Sequence, residues 1–67
     1  METTIGKLKP GNTFHYPNST EIYIVNVKNF MPNETLCEIQ GKPGAIIIKN
    51  SEKVIKGSTI KNFHPNA

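Results

Sequence analysis

The chain has 67 residues, a formal net charge of +3 and a single cysteine, Cys37. A chain of this length forms one domain and buries only about 60% of the surface that its unfolded form exposes, so its fold is marginally stable. The single cysteine excludes an internal disulfide, and the scarcity of histidine and cysteine argues against structural zinc. We therefore expect stabilisation by self-association, as a homo-oligomer.

All eight basic residues are lysine and all five acidic residues are glutamate. Proteins that bind nucleic-acid polymers usually carry a denser lysine and arginine stripe, so we expect no stable partner of that class. No apolar run approaches the ~20 residues of a membrane span, and the N terminus lacks the charged-then-apolar layout of a signal peptide. The sequence predicts an intracellular protein without membrane association.

The first predicted turn is Lys9-Pro10-Gly11-Asn12, in which proline presets one dihedral and glycine supplies a left-handed position. Short β-favouring runs follow, separated by Pro, Gly and Asn clusters. We predict five strands, at residues 13–16, 21–28, 34–40, 45–49 and 53–56. Strand spacing of this kind is typical of a small all-β unit, here a five-stranded meander closed into an SH3-like barrel.

Within that single domain of residues 1–67, alternation assigns Phe14 and Tyr23 to the core, and it places Tyr23, Val25 and Val27 on one face of their strand. Three consecutive isoleucines at 46–48 predict that the strand at 45–49 is among the most buried segments. Cys37 is expected to be a buried, unreactive thiol. Residues 57–67 are predicted to form a C-terminal tail.

Catalytic chemistry has little support in the residues. Neither His15 nor His64 has an aspartate to orient its ring, because the chain contains no aspartate. The serines lie in turn-like contexts without a nucleophile motif. We therefore expect no enzyme, no catalytic residue, no metal and no cofactor.

Ligand binding has more support, because aromatic side chains lie beside polar strand ends and lysines are near them in sequence. Aromatic rings can stack on a base, and lysines can neutralise phosphate. The candidate ligand-binding residues are His15, Tyr16, Lys28, Phe30, Lys42 and Lys49. Two alternatives stay open: Gly41-Lys42-Pro43-Gly44 is a plain hairpin turn rather than an anion site, and Phe30-Met31 contacts another subunit rather than a ligand.

Several motifs resemble those of small phage-encoded SH3-like barrels, over about residues 7–56. The motifs are Leu8-Lys9-Pro10-Gly11-Asn12-Thr13-Phe14, Glu21-Ile22-Tyr23-Ile24-Val25, Leu36-Cys37-Glu38-Ile39 and Gly44. Family members usually carry aspartate where this chain has Asn12. Some small phage barrels of this appearance are counter-defence proteins, notably oligomeric sponges that sequester the cyclic dinucleotides of CBASS immunity. The resemblance implies a phage protein acting in the host bacterial cytoplasm.

The leading functional hypothesis is a non-enzymatic anti-CBASS sponge, a homo-oligomer that binds a cyclic dinucleotide without hydrolysing it. One alternative is a protein that binds and inhibits a host protein, which predicts an exposed apolar surface or strand edge. A second alternative is a single-strand nucleic-acid binder, which the aromatics favour and the absence of arginine disfavours.

Overall fold

A computed structural model of the chain describes residues 1–61 and 63. It contains one six-stranded antiparallel sheet, with the strand order β1-β6-β2-β3-β4-β5. A single 3-10 turn at Ile5–Lys7 joins the first two strands. The strands are β1 (Glu2–Thr4), β2 (Asn12–His15), β3 (Tyr23–Met31), β4 (Glu34–Ile39), β5 (Ala45–Lys49) and β6 (Lys53–Thr59).

The all-β class is confirmed, whereas the prediction of a closed five-stranded meander is wrong in strand count and closure. Strands β2 to β5 form a meander, but β6 returns to pair with both β1 and β2, and β1 and β5 remain the edges of an open sheet. The sequence signal for β1 is weak because its polar Glu-Thr-Thr segment has no apolar alternation. It is a strand because its backbone pairs with β6 in the folded protein.

One face of the sheet, called the inner face, carries the core. Its fully or almost fully buried members are Ile5, Leu8, Phe14, Val25, Cys37, Ile48 and Val54, with Tyr16, Tyr23 and Ile46 packed against them. The assignment of Phe14 and Tyr23 to the core is confirmed. Val27 departs from the predicted face, because the register of β3 on β4 shifts between Val25 and Val27, and this bulge turns Val27 to the opposite, outer face.

The bounds predicted for the strand at 45–49 are confirmed as β5, but its predicted burial is wrong. Only Ile48 is buried, with 5% of its surface exposed, while Ile47 is 47% exposed. Because β5 is an edge strand, one side of its backbone pairs with no other strand among residues 1–61 and 63. Three consecutive isoleucines therefore do not indicate burial on both faces here.

The last strand extends further than the sequence predicts. Strand β6 runs to Thr59, past the glycine at which we expected a tail to begin. A Cβ atom at Gly57 would lie 2.6 Å from the Thr13 hydroxyl oxygen, and that hydroxyl donates a 2.6 Å hydrogen bond to the Ser58 carbonyl. Gly57 thus permits close approach of β6 to β2 rather than ending the strand. Beyond the strand, the Ile60 N–H donates to the Gly11 carbonyl at 2.9 Å. Residues 62 and 64–67 of the predicted tail lie outside the described residues.

Candidate functional site

Tyr16 belongs to a cluster of three aromatic rings at the inner face. Its ring meets those of Phe14 and Tyr23 edge to face, with centroid separations of 6.3 Å and 5.6 Å. Phe14 and Tyr23 stack at 5.3 Å with an interplanar angle of 13°. Burial, and then the nearby Glu52 carboxylate, raise the pKa of the Tyr16 phenol. Tyr16 is therefore a fixed, half-buried aromatic side chain at the margin of the core.

A shallow groove runs along the side of β5 that faces away from β4. Its lining consists of Tyr16, Ile46, Ile47, Ile48, Lys49 and Glu52. The groove brings together two of the predicted ligand-binding residues, Tyr16 and Lys49. Three of its six lining residues are isoleucines, and the charge of the single lysine is offset by that of the single glutamate. The local charge therefore does not select strongly for an anion.

Lys49 also lines a second open hollow, at the end of the sheet where β3 turns into β4. The other lining residues are Pro32, Asn33, Glu34, Asn50 and Ser51. Glu34 is the register partner of Lys49 on β4. Lys49 therefore has the Glu34 carboxylate beside it on the outer face, in addition to the Glu52 carboxylate in the groove.

Lys28 does not present its charge to a ligand. Its ammonium nitrogen lies 3.4, 2.8 and 2.9 Å from the backbone carbonyl oxygens of Ile5, Gly6 and Leu8, respectively. An ammonium group has three N–H donors, so these carbonyls account for all of them. Lys28 is a structural cation that ties β3 to the 3-10 turn, a long-range contact that no local sequence pattern predicts.

Lys42 and His15 lie apart from the groove. The Lys42 ammonium pairs with the Glu21 carboxylate at 2.8 Å in an exposed position, and this hydrogen bond raises the pKa of Lys42. The His15 Nδ1 is 2.9 Å from the Tyr16 carbonyl oxygen, so it donates a hydrogen bond. His15 pairs with Ile55 on β6, and its side chain alternates to the face opposite that of Tyr16.

Phe30 and Met31 are exposed at the end of β3, with 48% and 46% of their surface accessible. Behind them, Asn29 adopts a left-handed backbone with φ of 53°. An amide and hydroxyl network supports this turn: Asn50 donates to Asn29 at 2.8 Å and accepts from Thr35 at 2.7 Å. The two apolar side chains are therefore held outward by an ordered segment of chain.

A second apolar feature lies on the outer face. Val27, Leu36 and Ile47 are directly opposite one another in the register of β3, β4 and β5. We call this set the aliphatic row. The Met31 side chain lies on the same face of the sheet as the aliphatic row. Met31 pairs with Glu34 of β4, which is two residues before Leu36 and therefore shares its face. Sequence reasoning missed the row because it depends on the β3 bulge and on cross-strand register.

Cys37 is fully buried, as predicted, and burial raises the pKa of its thiol to about 12.

Within the described part of the chain, no group of three or more histidine, cysteine and acidic residues could hold a metal ion. Among residues 1–61 and 63, no helix is long and apolar enough to cross a membrane.

Comparison with models of protein families, with curated proteins and with solved structures finds no match to this chain. Its own geometry is therefore the basis for a functional proposal.

Proposed function

We propose that this chain is a non-enzymatic protein-binding protein that docks on its partner through the outer face of β3, β4 and β5. The observation that carries the proposal is the aliphatic row, in which three apolar side chains of neighbouring strands adjoin on the face away from the core. Exposed Met31 lies on the same face. Contiguous apolar surface of this kind is characteristic of a protein interaction site.

The resemblance to small phage-encoded SH3-like barrels implies a phage protein, and the partner that we propose is therefore a protein of its bacterial host. Covering a functional surface of that protein would inhibit it without any catalytic chemistry in this chain. An SH3-like architecture, self-association and action in the host bacterial cytoplasm belong to the same proposal.

A second candidate function is sequestration of a cyclic dinucleotide. It is favoured by one observation, the groove in which Tyr16 and Lys49 both lie. The tyrosine would stack on a base and the lysine would neutralise a phosphate. We place this function second because Glu52 lines the same groove, Lys28 is engaged by carbonyls and Lys42 is engaged by Glu21.

Affinity capture tests the leading proposal. The tagged protein and its variants are mixed with extract of a bacterial host, and retained proteins are measured by quantitative mass spectrometry. We expect Met31→Lys to reduce the retained partner roughly tenfold, equivalent to ~1.4 kcal/mol of binding free energy. The control is Ile55→Lys, which places the same charge at a partly buried position of β6, outside β3 to β5, and it should retain the partner. Equal retention by both variants would contradict the outer-face proposal.

Thermal unfolding with added cyclic dinucleotides tests the second candidate. A ligand that binds only the folded state stabilises it by RT ln(1 + [L]/Kd) and therefore raises the melting temperature. We expect no rise. A rise that disappears in Tyr16→Ala, while Phe30→Ala keeps it, would place dinucleotide binding ahead of protein binding.

A further inference from the structure

The backbone of β5 has unused hydrogen-bonding groups on the side away from β4. The N–H of Asn50 donates to the carbonyl of Asn33 at 2.9 Å, and this pair continues the β4–β5 register. Hydrogen-bonded pairs alternate along an antiparallel ladder, so the backbone N–H and C=O groups of Ile46 and Ile48 bond to β4. The N–H and C=O groups of Ile47 therefore point to the opposite side, away from β4. No strand of the described residues pairs with β5 there.

We propose that this edge pairs with the same edge of a second copy of the chain, antiparallel and centred on Ile47. A twofold axis at that position makes Ile47 of each copy donate to and accept from Ile47 of the other. Ala45 of one copy then lies opposite Lys49 of the other, and the Lys49 N–H donates to the Ala45 carbonyl. The Lys49 carbonyl already accepts a hydrogen bond from the Glu52 N–H of its own chain at 3.1 Å. The edge carries no proline, bulge or central charge that would block such pairing.

This register also matches the side chains on the outer face. Ile47 ends the aliphatic row in each copy, so a twofold axis at Ile47 joins two rows into one continuous stripe across both sheets. On the inner face, Ile46 of one copy lies opposite Ile48 of the other. If the pairing register shifted by one residue, inner-face residues of one copy would lie opposite outer-face residues of the other. The side-chain pattern therefore specifies the register.

Charges agree with the same arrangement. Lys49 of one copy lies opposite Ala45 of the other, and the next residue across that sheet is Glu38. The backbones of Lys49 and that Glu38 are two strand spacings apart, roughly 10 Å, with only a small methyl side chain between them. Across the two sheets, the residues at this level are in order Glu34 and Lys49 of one copy, followed by Ala45 and Glu38 of the other. Each Lys49 therefore lies between a carboxylate of its own copy and a carboxylate of the second copy. This complementarity favours a second copy over an unrelated strand as the occupant.

The pairing specifies the self-association named above but does not depend on the docking of a host protein, since it uses the backbone edge and leaves Met31 and the outer stripe exposed. Its test requires only the purified full chain. Sedimentation velocity over a wide concentration range should show a dimer. Ile47→Pro removes an N–H that points away from β4, and Ile47→Lys places like charges at the axis. Both variants should weaken dimerisation roughly tenfold or more.

The matched control is Met31→Lys, an equally exposed methionine-to-charge change away from the edge, which should remain dimeric. Circular dichroism of each variant at low concentration verifies that the monomer is folded. A monomeric wild-type protein at every concentration would overturn the proposal. A dimer lost in Met31→Lys and kept in both Ile47 variants would equally overturn it.

Cysteine crosslinking tests the register. Directly opposed residues in a hydrogen-bonded pair have Cα atoms about 5.5 Å apart, which suits a disulfide. Ile47→Cys should therefore form a covalent dimer under mild oxidation, while the buried native Cys37 does not react. A mixture of Ala45→Cys and Lys49→Cys chains should yield the mixed dimer. Crosslinking of Met31→Cys as fast as Ile47→Cys would contradict the register.

Discussion

The inner and outer faces of β3, β4 and β5 are built from alternate residues of the same strands, yet they differ in what covers them. On the inner face, Val25 and Cys37 are wholly inaccessible to solvent. On the outer face, Leu36 is partly exposed and Ile47 nearly half exposed. Burial of the inner face contributes to folding. Ile24 on the outer face is only 9% exposed, so the binding assignment is restricted to the aliphatic row and Met31, which leave apolar surface accessible.

The largest expected effect is on the inner face. Phe14→Ala removes a fully buried ring that packs on two tyrosines, and such truncations cost ~3–5 kcal/mol. That loss is comparable to the whole stability of a small domain. Urea denaturation should show a largely unfolded variant. Ile47→Ala is the outer-face control and should lower the stability of the monomer by less than about 1 kcal/mol. Similar losses for the two variants would refute the distinction between the faces.

An intermediate effect is expected for Lys28, whose long side chain links β3 to the 3-10 turn. Lys28→Met keeps the aliphatic stem but leaves the Ile5, Gly6 and Leu8 carbonyls without their ammonium donor. Hydrogen bonds to a charged group contribute about 1.5–3 kcal/mol, so we expect a loss near the lower end in this partly exposed site. The measurement is urea unfolding, with exposed Lys53→Met as the control. An unchanged midpoint for Lys28→Met would restore Lys28 as a candidate ligand cation.

The smallest effect is a pH dependence from the inner face. The pKa of the Cys37 thiol rises from 9.0 to about 12 on folding, because burial disfavours the thiolate. At pH values below 9 the thiol is protonated in both the folded and the unfolded state, and its contribution to the stability of the folded state is fully present. That contribution is lost as the pH rises above 9 toward 12. Stability should fall less steeply over this range in Cys37→Ala than in the wild type. If the stability of both proteins fell equally with pH, the thiol would have the same pKa in the folded and the unfolded state.

The same burial predicts slow alkylation of Cys37 in native protein. Iodoacetamide at mildly alkaline pH should modify the thiol only as fast as the chain opens, and denaturant should accelerate the reaction strongly. Rapid modification without denaturant would mean that the inner face is accessible.

Local chemistry in the sequence predicted the parts of this fold that depend on a few adjacent residues. Pro10-Gly11 predicted a turn, and Gly11 has the positive φ of 92° that it requires. Turn residues on both sides of 45–49 predicted the bounds of β5, and alternation predicted the burial of Phe14. Tyr16 and Lys49, two of the six candidate ligand residues, do share a groove. These features follow from backbone preferences and side-chain period, which act over short distances along the chain.

Tertiary structure decided what depends on contacts between distant residues. Whether Gly57 ends a strand or lets β6 approach β2 depends on Thr13, which is far away in sequence. Whether Lys28 is a ligand cation or a structural one depends on the carbonyls of the 3-10 turn. The aliphatic row and the open edge of β5 depend on cross-strand register and strand order, because no single strand contains them. Those two features carry the functional proposals, since a surface exists only once the sheet has assembled.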